Sequence, residues 1–244
     1  MAARSNALAD TWSALVDLVL PAGCAGCADA VGHRRGLCGD CAAALTAAKP
    51  QRVRPRPEPP GMPRCVALAA YAGSLREAIL AYKERGRHTL AGPLGDRLAD
   101  VVVTALGAVP APVLLVPVPA TAAAARDRYG DHMLRLARRA ARGLARRGWP
   151  AEVACPLRAR PRRDSAELSS VDRLRVATGA FALVPGRLPA VRASVRDGAR
   201  LVLVDDVVTT GATLAAVAAR LREAEVDAPV AAVLAATQRR VPTR

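Results

Sequence analysis

Aromatic residues are scarce in this chain of 244 residues: Phe, Trp and Tyr make up 2% of it, although hydrophobic residues make up 52%. The apolar content therefore comes mainly from Ala, Val and Leu. This predicts aliphatic packing of helices on a sheet and excludes an aromatic-rich β-sandwich. The scarcity also removes the side chains on which single-stranded nucleic acids usually stack. The length accommodates one main domain and a small module.

Long apolar runs are also missing. No run of about 18 apolar residues occurs, so we predict no membrane span. The N-terminal stretch 12–20 is short, contains Asp17 and ends before Pro21, and it lacks the basic start and cleavage site of a signal peptide. We therefore expect a cytoplasmic protein with an amphipathic N-terminal helix. In that compartment thiols stay reduced, so the six cysteines are not expected to form disulfides.

Acidic residues are too few to balance the basic ones, and the formal net charge is +15. An excess of positive charge favours polyanion binding, because bound phosphates release counterions. Nearly all of the basic residues are Arg, however, and a general enrichment in Arg, Ala, Val and Gly would produce the same charge. The charge therefore leaves two interpretations open, a nucleic-acid surface and a compositional bias.

Four of the cysteines form two Cys-x-x-Cys pairs: Cys24 with Cys27, and Cys38 with Cys41. Each pair places two thiolates on a tight turn, so that four sulfurs can surround one tetrahedral zinc ion at about 2.3 Å. Four thiolates leave no open position for water, which predicts a structural site and not a catalytic one. A redox dithiol is the alternative, and His33 between the pairs is an alternative ligand. Cys65 and Cys155 are predicted to be small core residues.

Three regions follow from these patterns. Residues 1–48 are predicted to form the N-terminal helix and a zinc-ribbon-like module. Residues 49–63, KPQRVRPRPEPPGMP, lack a periodic apolar pattern and are predicted to be a stiff linker. Residues 64–244 alternate apolar strand patterns with helical ones, which predicts an α/β domain with a doubly wound, mainly parallel sheet. The ligand crevice of such a sheet lies at the carboxyl ends of its strands.

The predicted elements of the α/β domain are short and regular. The strands are expected at 65–71, 113–119, 152–155, 179–184, 201–205 and 230–236. The helices are expected at 74–85, 90–106, 131–147 and 213–224. The Arg-rich loop 158–163 has no apolar anchor, and we expect it to move as a lid.

The segment 201–214 combines an apolar strand, the adjacent acids Asp205 and Asp206, and a loop rich in hydroxyls that opens a helix. Backbone N–H groups and Thr hydroxyls at a helix start can cradle a phosphate, and Gly211 allows close approach of the backbone. The two carboxylates can hold ribose hydroxyls. An alternative is a simple capped turn, with Thr213 as N-cap and the acids as electrostatic caps. That alternative accounts for single residues but not for the combination.

This segment resembles the motif of type I phosphoribosyltransferases that binds 5-phosphoribosyl-1-pyrophosphate (PRPP): four apolar residues, two acids, two apolar residues and T-T-G-A-T. Nearly the whole chain is similar to the ComF family, which joins a Cys-pair zinc module to a phosphoribosyltransferase-like domain. Two stretches depart from the family pattern, since Tyr129 and Gly130 are exchanged in order and the lid lacks Q-x-G-L. The further marks of the resemblance are Tyr71-Ala72-Gly73, Ile79, Lys83, Val116-Pro117-Val118-Pro119, Arg126 to His132 and Gly179-Ala180-Phe181.

The resemblance implies a type I phosphoribosyltransferase-like fold that binds PRPP with Mg²⁺. It implies that the acids contact the ribose hydroxyls and that the following loop contacts the 5-phosphate. It further implies that basic residues neutralise the pyrophosphate and that the flexible loop closes over the site. The implied PRPP-binding residues are Asp205, Asp206, Val207, Val208, Thr209, Thr210, Gly211, Ala212 and Thr213. The implied catalytic set is Asp205, Asp206, Arg126, Arg128 and Lys83, with Arg163 and Asp164 in the flexible loop.

The activity implied by the resemblance is transfer of a phosphoribosyl group to a nucleobase-like acceptor, a glycosyltransferase reaction. Two alternatives stay open: a PRPP sensor without turnover, and a protein that binds single-stranded DNA during DNA uptake in competence, with which ComF-like proteins are associated. No aromatic side chain follows the motif to stack a base, which favours the sensor. The acceptor, the protein partner and the oligomeric state leave no distinct pattern in the sequence.

Overall fold

The computed structural model describes residues 23–29, 35–107, 109–127, 130–160 and 179–237. Its strands are β1 Gln51–Val53, β2 Arg64–Ala70, β3 Val113–Pro117, β4 Ala151–Val153, β5 Leu157–Ala159, β6 Phe181–Leu183, β7 Arg200–Val208 and β8 Val230–Ala236. Six of them form one sheet in the order β1-β2-β8-β7-β3-β4. All neighbours in it are parallel except β1 and β2, which are antiparallel.

Helices cover both faces of this sheet. They are α1 Gly39–Ala47, α2 Gly73–Glu84, α3 Ala91–Leu106, α4 Ala122–Asp127, α5 His132–Ala145, α6 Leu188–Arg196 and α7 Ala212–Arg222. One hydrophobic core contains residues of α1, α2, α3 and α5, and a second contains residues of α6 and α7. The predicted α/β class with a mainly parallel sheet is therefore confirmed. None of the described helices has the length and apolarity needed to cross a membrane.

The central strands form where the chain is continuously apolar. All five residues of β3 and all seven of β8 are buried. A strand that is covered by helices on both faces has no solvent side, so it needs no alternation of polar residues. In β7 the residues from Leu201 to Val204 are buried in the same way, and Asp205 is the first polar residue after them.

Helix α5 begins at a capped position beside the candidate site. The side chain of Asp131 is the N-cap and its Oδ1 accepts a hydrogen bond of 3.0 Å from the backbone N–H of Leu134. Such caps satisfy one of the free N–H groups of the first turn and stabilise a helix by about 1 kcal/mol. The cap places His132 at the first helical position, where its side chain is buried.

Several elements differ from the predictions. Helix α4 was not predicted, and β5 pairs residues 158 and 159, so the start of the predicted lid loop 158–163 is a strand. Strand β6 forms at the predicted place but pairs antiparallel with β5 in a separate two-stranded sheet, so its assignment to the main sheet is wrong. Strand β1 lies inside the stretch that was predicted to be a linker, because only one of its three residues, Val53, is apolar. Helix α6 was not predicted. Its Pro189 lies in the first helical turn, where its missing N–H costs nothing.

Candidate functional site

The carboxyl ends of β3 and β7 mark the point where the strand order reverses. From β3 the chain passes through α5 to β4 on one side, and from β7 it passes through α7 to β8 on the other. The two connecting helices belong to different cores and so cover opposite faces. Crevices of this kind bind ligands in open α/β sheets. Strand β7 ends at this point. Asp205 and Asp206 lie near its end, and the hydroxyl-rich loop follows it.

The loop opens helix α7 without a side-chain cap. Its N-cap is Gly211, in a left-handed conformation with φ +76°, and no side chain hydrogen-bonds to the cap position. Thr209 and Thr210 are exposed, and Thr210 Oγ1 accepts a 3.4 Å hydrogen bond from the N–H of Ala212. Thr213 lies inside the first turn, so the alternative that makes it the N-cap is wrong. The other N–H groups of the first turn are thus available to an anionic ligand.

Pro55 and Met62, from the segment before β2, lie against one side of this loop. A Cβ atom at Gly211 would fall 2.3 Å from Met62 Sδ and 3.2 Å from Pro55 Cγ. No larger residue can therefore occupy position 211 without displacing Met62. The glycine serves both the left-handed turn and this close contact.

Asp206 is enclosed by two basic side chains. It is 5% exposed, and its Oδ2 lies 2.9 Å from Lys83 Nζ of α2 and 3.5 Å from His132 Nε2 of α5. Its Oδ1 accepts a 2.8 Å hydrogen bond from the N–H of Val207. Burial opposes ionisation of Asp206, but His132 and Lys83 outweigh it and hold the pKa well below its ordinary value. Asp206 is therefore an ionised group held in place.

Asp205 has a different environment. It is half-buried, and its Oδ1 accepts a 2.9 Å hydrogen bond from the N–H of Asp206. Within the described ranges no cation lies within ion-pair distance of it. Burial and the negative charge of Asp206 raise the pKa of Asp205 well above its ordinary value, although Lys83 partly offsets them.

The structure brings some of the predicted site residues together. Lys83 meets Asp206, and both acids and the loop from Thr209 to Thr213 share the end of β7. Arg126 is exposed on α4, where no residue of that helix is buried, and it forms no ion pair with either acid. Arg128, Arg163 and Asp164 lie outside the described residues, as does His33.

His132, the second base of this cluster, was not among the residues predicted for the site. Its Nδ1 has no hydrogen-bond partner among the residues that the structure describes, although the side chain is buried. The hydroxyl of Tyr82 in α2 donates a 2.7 Å hydrogen bond to the backbone carbonyl of His132 and so ties α2 to the start of α5. The one local signal was the adjacent Asp131, a good N-cap residue before an apolar helical pattern.

The Cys-x-x-Cys pairs converge as predicted. The four sulfurs all lie within 4.8 Å of one another, and Cys27 Sγ is 3.7 Å from Cys38 Sγ. A tetrahedron of sulfurs around zinc has edges of about 3.8 Å. The cluster could therefore hold a metal ion, and its all-thiolate ligand set suits zinc.

Backbone N–H groups favour the thiolate form of Cys24, whereas burial and the neighbouring sulfurs raise the pKa of Cys41. The N–H groups of Gly26 and Cys38 lie 3.3 and 3.2 Å from Cys24 Sγ. Burial opposes ionisation of Cys24, yet the N–H groups of Cys38, Gly26 and Cys27 lower its pKa to about 6. A thiolate is the form that binds a metal. The cluster is also fastened to the main domain, because Arg87 donates hydrogen bonds to the carbonyls of Gly23 and Gly36.

Comparisons with known proteins add no family to this geometry. No protein-family model matches the chain, and no curated protein matches it either.

Proposed function

We propose that the chain is a ComF-like protein that binds PRPP with Mg²⁺ at the end of β7, and that it transfers the phosphoribosyl group to a nucleobase-like acceptor. The observation that carries the proposal is the meeting of an acid pair and an uncapped, hydroxyl-rich helix start at the point where the strand order reverses. PRPP carries a phosphate, two ribose hydroxyls and a pyrophosphate. Such a ligand needs hydrogen-bond donors for its phosphates beside hydrogen-bond acceptors for its hydroxyls.

Each part of the site suits one part of PRPP. The N–H groups that open α7, with the hydroxyls of Thr209 and Thr210, would bind the 5-phosphate. A carboxylate of the acid pair would accept hydrogen bonds from the ribose hydroxyls. Mg²⁺ prefers oxygen ligands, and Asp205 offers a carboxylate at this edge of the sheet. When bound, the ion would neutralise the pyrophosphate.

The transfer itself requires little covalent chemistry from the protein. The bond between ribose C1 and the pyrophosphate oxygen breaks and pyrophosphate leaves with the electron pair, while a ring nitrogen of the acceptor bonds to C1 and loses its proton. Positive charge would develop on the ribose, and the carboxylate of Asp205 would stabilise it. In the alternative, a PRPP sensor would bind PRPP at the same site and would use no acceptor.

We further propose that the four-cysteine cluster holds a structural zinc ion. Four sulfurs fill the coordination sphere, so the ion would have no position for water or substrate. Its role would be to fold residues 23–47 and to hold them against the main domain.

Calorimetric titration of the zinc-loaded protein with PRPP and Mg²⁺ tests the first proposal. We expect saturable binding that Asp205→Asn abolishes. The matched control is Asp197→Asn, which removes the same charge from an exposed position before the amino end of β7. The control should bind like the wild type, and absence of binding by the wild type would reject the proposal.

A screen for pyrophosphate release with a panel of nucleobases then separates the transferase from the sensor. Release that depends on one acceptor supports the transferase. Tight PRPP binding without release by any acceptor supports the sensor.

A second candidate function, binding of single-stranded DNA, is favoured by the exposed face of α5. Arg138, Arg139 and Arg142 are exposed there and form no ion pair with any described residue, whereas Arg146 and Arg147 pair with Asp96 and Asp100. Replacing the first three with Gln should weaken binding to an unstructured oligonucleotide and reduce its salt dependence. Replacing Arg146 and Arg147 is the control. Absence of binding at low salt would reject this candidate.

A further inference from the structure

The two adjacent acids of the site differ in what surrounds them. Oδ1 of Asp206 accepts a hydrogen bond from the N–H of Val207, and Oδ2 lies at ion-pair distance from Lys83 and His132 without hydrogen-bond geometry to either. Only 7% of the side chain is exposed. A carboxylate with this environment has little surface and few free lone pairs to offer a ligand.

Among the described residues, Asp205 accepts a hydrogen bond at one oxygen only. Its Oδ1 accepts the N–H of Asp206, and no side-chain cation pairs with it within the described part of the chain. It is also the more exposed of the two residues. Because successive residues of a strand project to opposite faces, Asp205 lies on the face away from Lys83 and His132.

We propose that the acids have separate roles: Asp205 alone accepts the hydroxyls of the ligand, Asp206 is a structural anion, and His132 is a positioning residue that holds Asp206. This division rests on the proposed function and adds to it. Asp206 links β7 to α2 through Lys83 and to α5 through His132, so these contacts would set the position of the strand end from which Asp205 projects.

The buried imidazole has a defined task in this arrangement. Nε2 lies 3.5 Å from Asp206 Oδ2, and Nδ1 has no partner among the described residues. The division therefore requires the tautomer with the proton on Nε2, which donates towards Asp206. The chain contains three histidines, so their ring nitrogens can be resolved individually by ¹⁵N NMR.

Thermal unfolding tests the division without any ligand. We expect Asp206→Asn to lower the Tm, because it leaves Lys83 and His132 without their anion. Asp205→Asn should not lower it. In a Lys83→Met background the cost of Asp206→Asn should shrink, since the ion pair is already lost. Equal losses from the two Asn variants, or additive losses in the double variant, would overturn the assignment.

Binding of PRPP and Mg²⁺ tests the positioning role of His132. His132→Gln places an amide donor near the former Nε2 and should bind within about threefold of the wild type, whereas His132→Asn is too short to reach Asp206 and should bind about 10- to 100-fold more weakly. Equal affinities of the Gln and Asn variants, or an Nδ1–H tautomer in the NMR spectrum, would overturn the role of His132.

The two proposals can fail separately. If the wild type does not bind PRPP, the proposed ligand is wrong, yet the unfolding data and the tautomer still decide whether Asp206 is the structural anion. If PRPP binds and Asp205→Asn keeps its affinity while Asp206→Asn loses it in a folded protein, the division of roles is wrong and the proposed function stands.

Discussion

At the scale of single residues, the site is built from neighbouring acids under opposite influences. Lys83 and His132 stabilise the ionised form of Asp206. Asp205 is left with burial and the charge of its neighbour, both of which favour its neutral form. Binding sites often retain a group whose ionisation weakens the folded state, because function requires the charge. Under the proposed function, Asp205 would be such a group.

This residue predicts an unusual dependence of stability on pH. Folding raises the pKa of this carboxyl above its ordinary value of 3.8. At a pH above 3.8 the unfolded chain therefore loses the proton more readily than the folded chain, and the folded state is destabilised. Asp205→Asn removes that cost, so we expect it to raise the Tm at pH 8 by about 2–4 °C and to have no effect near pH 4. Thermal melts from pH 4 to pH 8 measure the difference.

The control for this measurement is Asp197→Asn, since Asp197 is exposed. Its Tm difference from the wild type should stay small and should not grow with pH. A lower Tm for Asp205→Asn at pH 8 would contradict the predicted cost of the charge.

At the scale of an element, the first Cys-x-x-Cys turn depends on a glycine for space. A Cβ at Gly26 would lie 2.7 Å from Cys41 Sγ and 3.0 Å from Ser74 Cβ, whereas a Cβ at Gly39 would meet nothing within 4 Å. The turn is thus squeezed between the other cysteine pair and the start of α2. The second pair begins a helix with open space around its glycine.

The two glycines therefore form a matched pair of positions. Gly26→Ala should weaken zinc binding by about 10- to 100-fold, as changes beside metal ligands commonly do. Gly39→Ala should bind zinc like the wild type and gain slight stability, because Ala is the better helix former at the start of α1. Competition with a coloured chelator measures both affinities. Similar affinities of the two variants would show that the turn has room for a side chain.

At the scale of the whole molecule, the cysteine cluster shares a core with the α/β domain. Cys24, Ala25, Leu37 and Leu45 belong to the same hydrophobic cluster as Leu90 of the main domain. Arg97 adds a 2.9 Å hydrogen bond from its Nη2 to the carbonyl of Ala48. Removal of a bound metal should therefore lower the stability of the main domain as well as that of the cysteine module.

Calorimetry of the zinc-loaded protein with and without a chelator tests this coupling. We expect one cooperative transition whose Tm falls by at least about 5 °C when the metal is removed, because metal binding contributes directly to folding. Cys155→Ser should respond like the wild type, since that thiol lies outside the cluster. Two separate transitions, of which only the smaller responds to the chelator, would show that the module folds independently.

The features that follow from the sequence alone are those that consecutive residues encode. The cysteine pairs, the apolar strands β3 and β8, and the acid pair followed by a hydroxyl-rich loop each show a local spacing or a period of burial. For the same reason the α/β class and the helices α2, α3, α5 and α7 could be predicted. Elements without a clear apolar pattern could not, since β1 has one apolar residue in three and α6 carries a proline in its first turn.

The partners of the two acids, in contrast, depend on how distant segments pack. Lys83 comes from α2 and His132 from α5, and both reach Asp206 because α2 and α5 cover the same face of the sheet. Asp205 projects to the other face and meets neither closely. Local sequence treats the two acids as equivalent, because the contacts that distinguish them arise only when distant segments pack together.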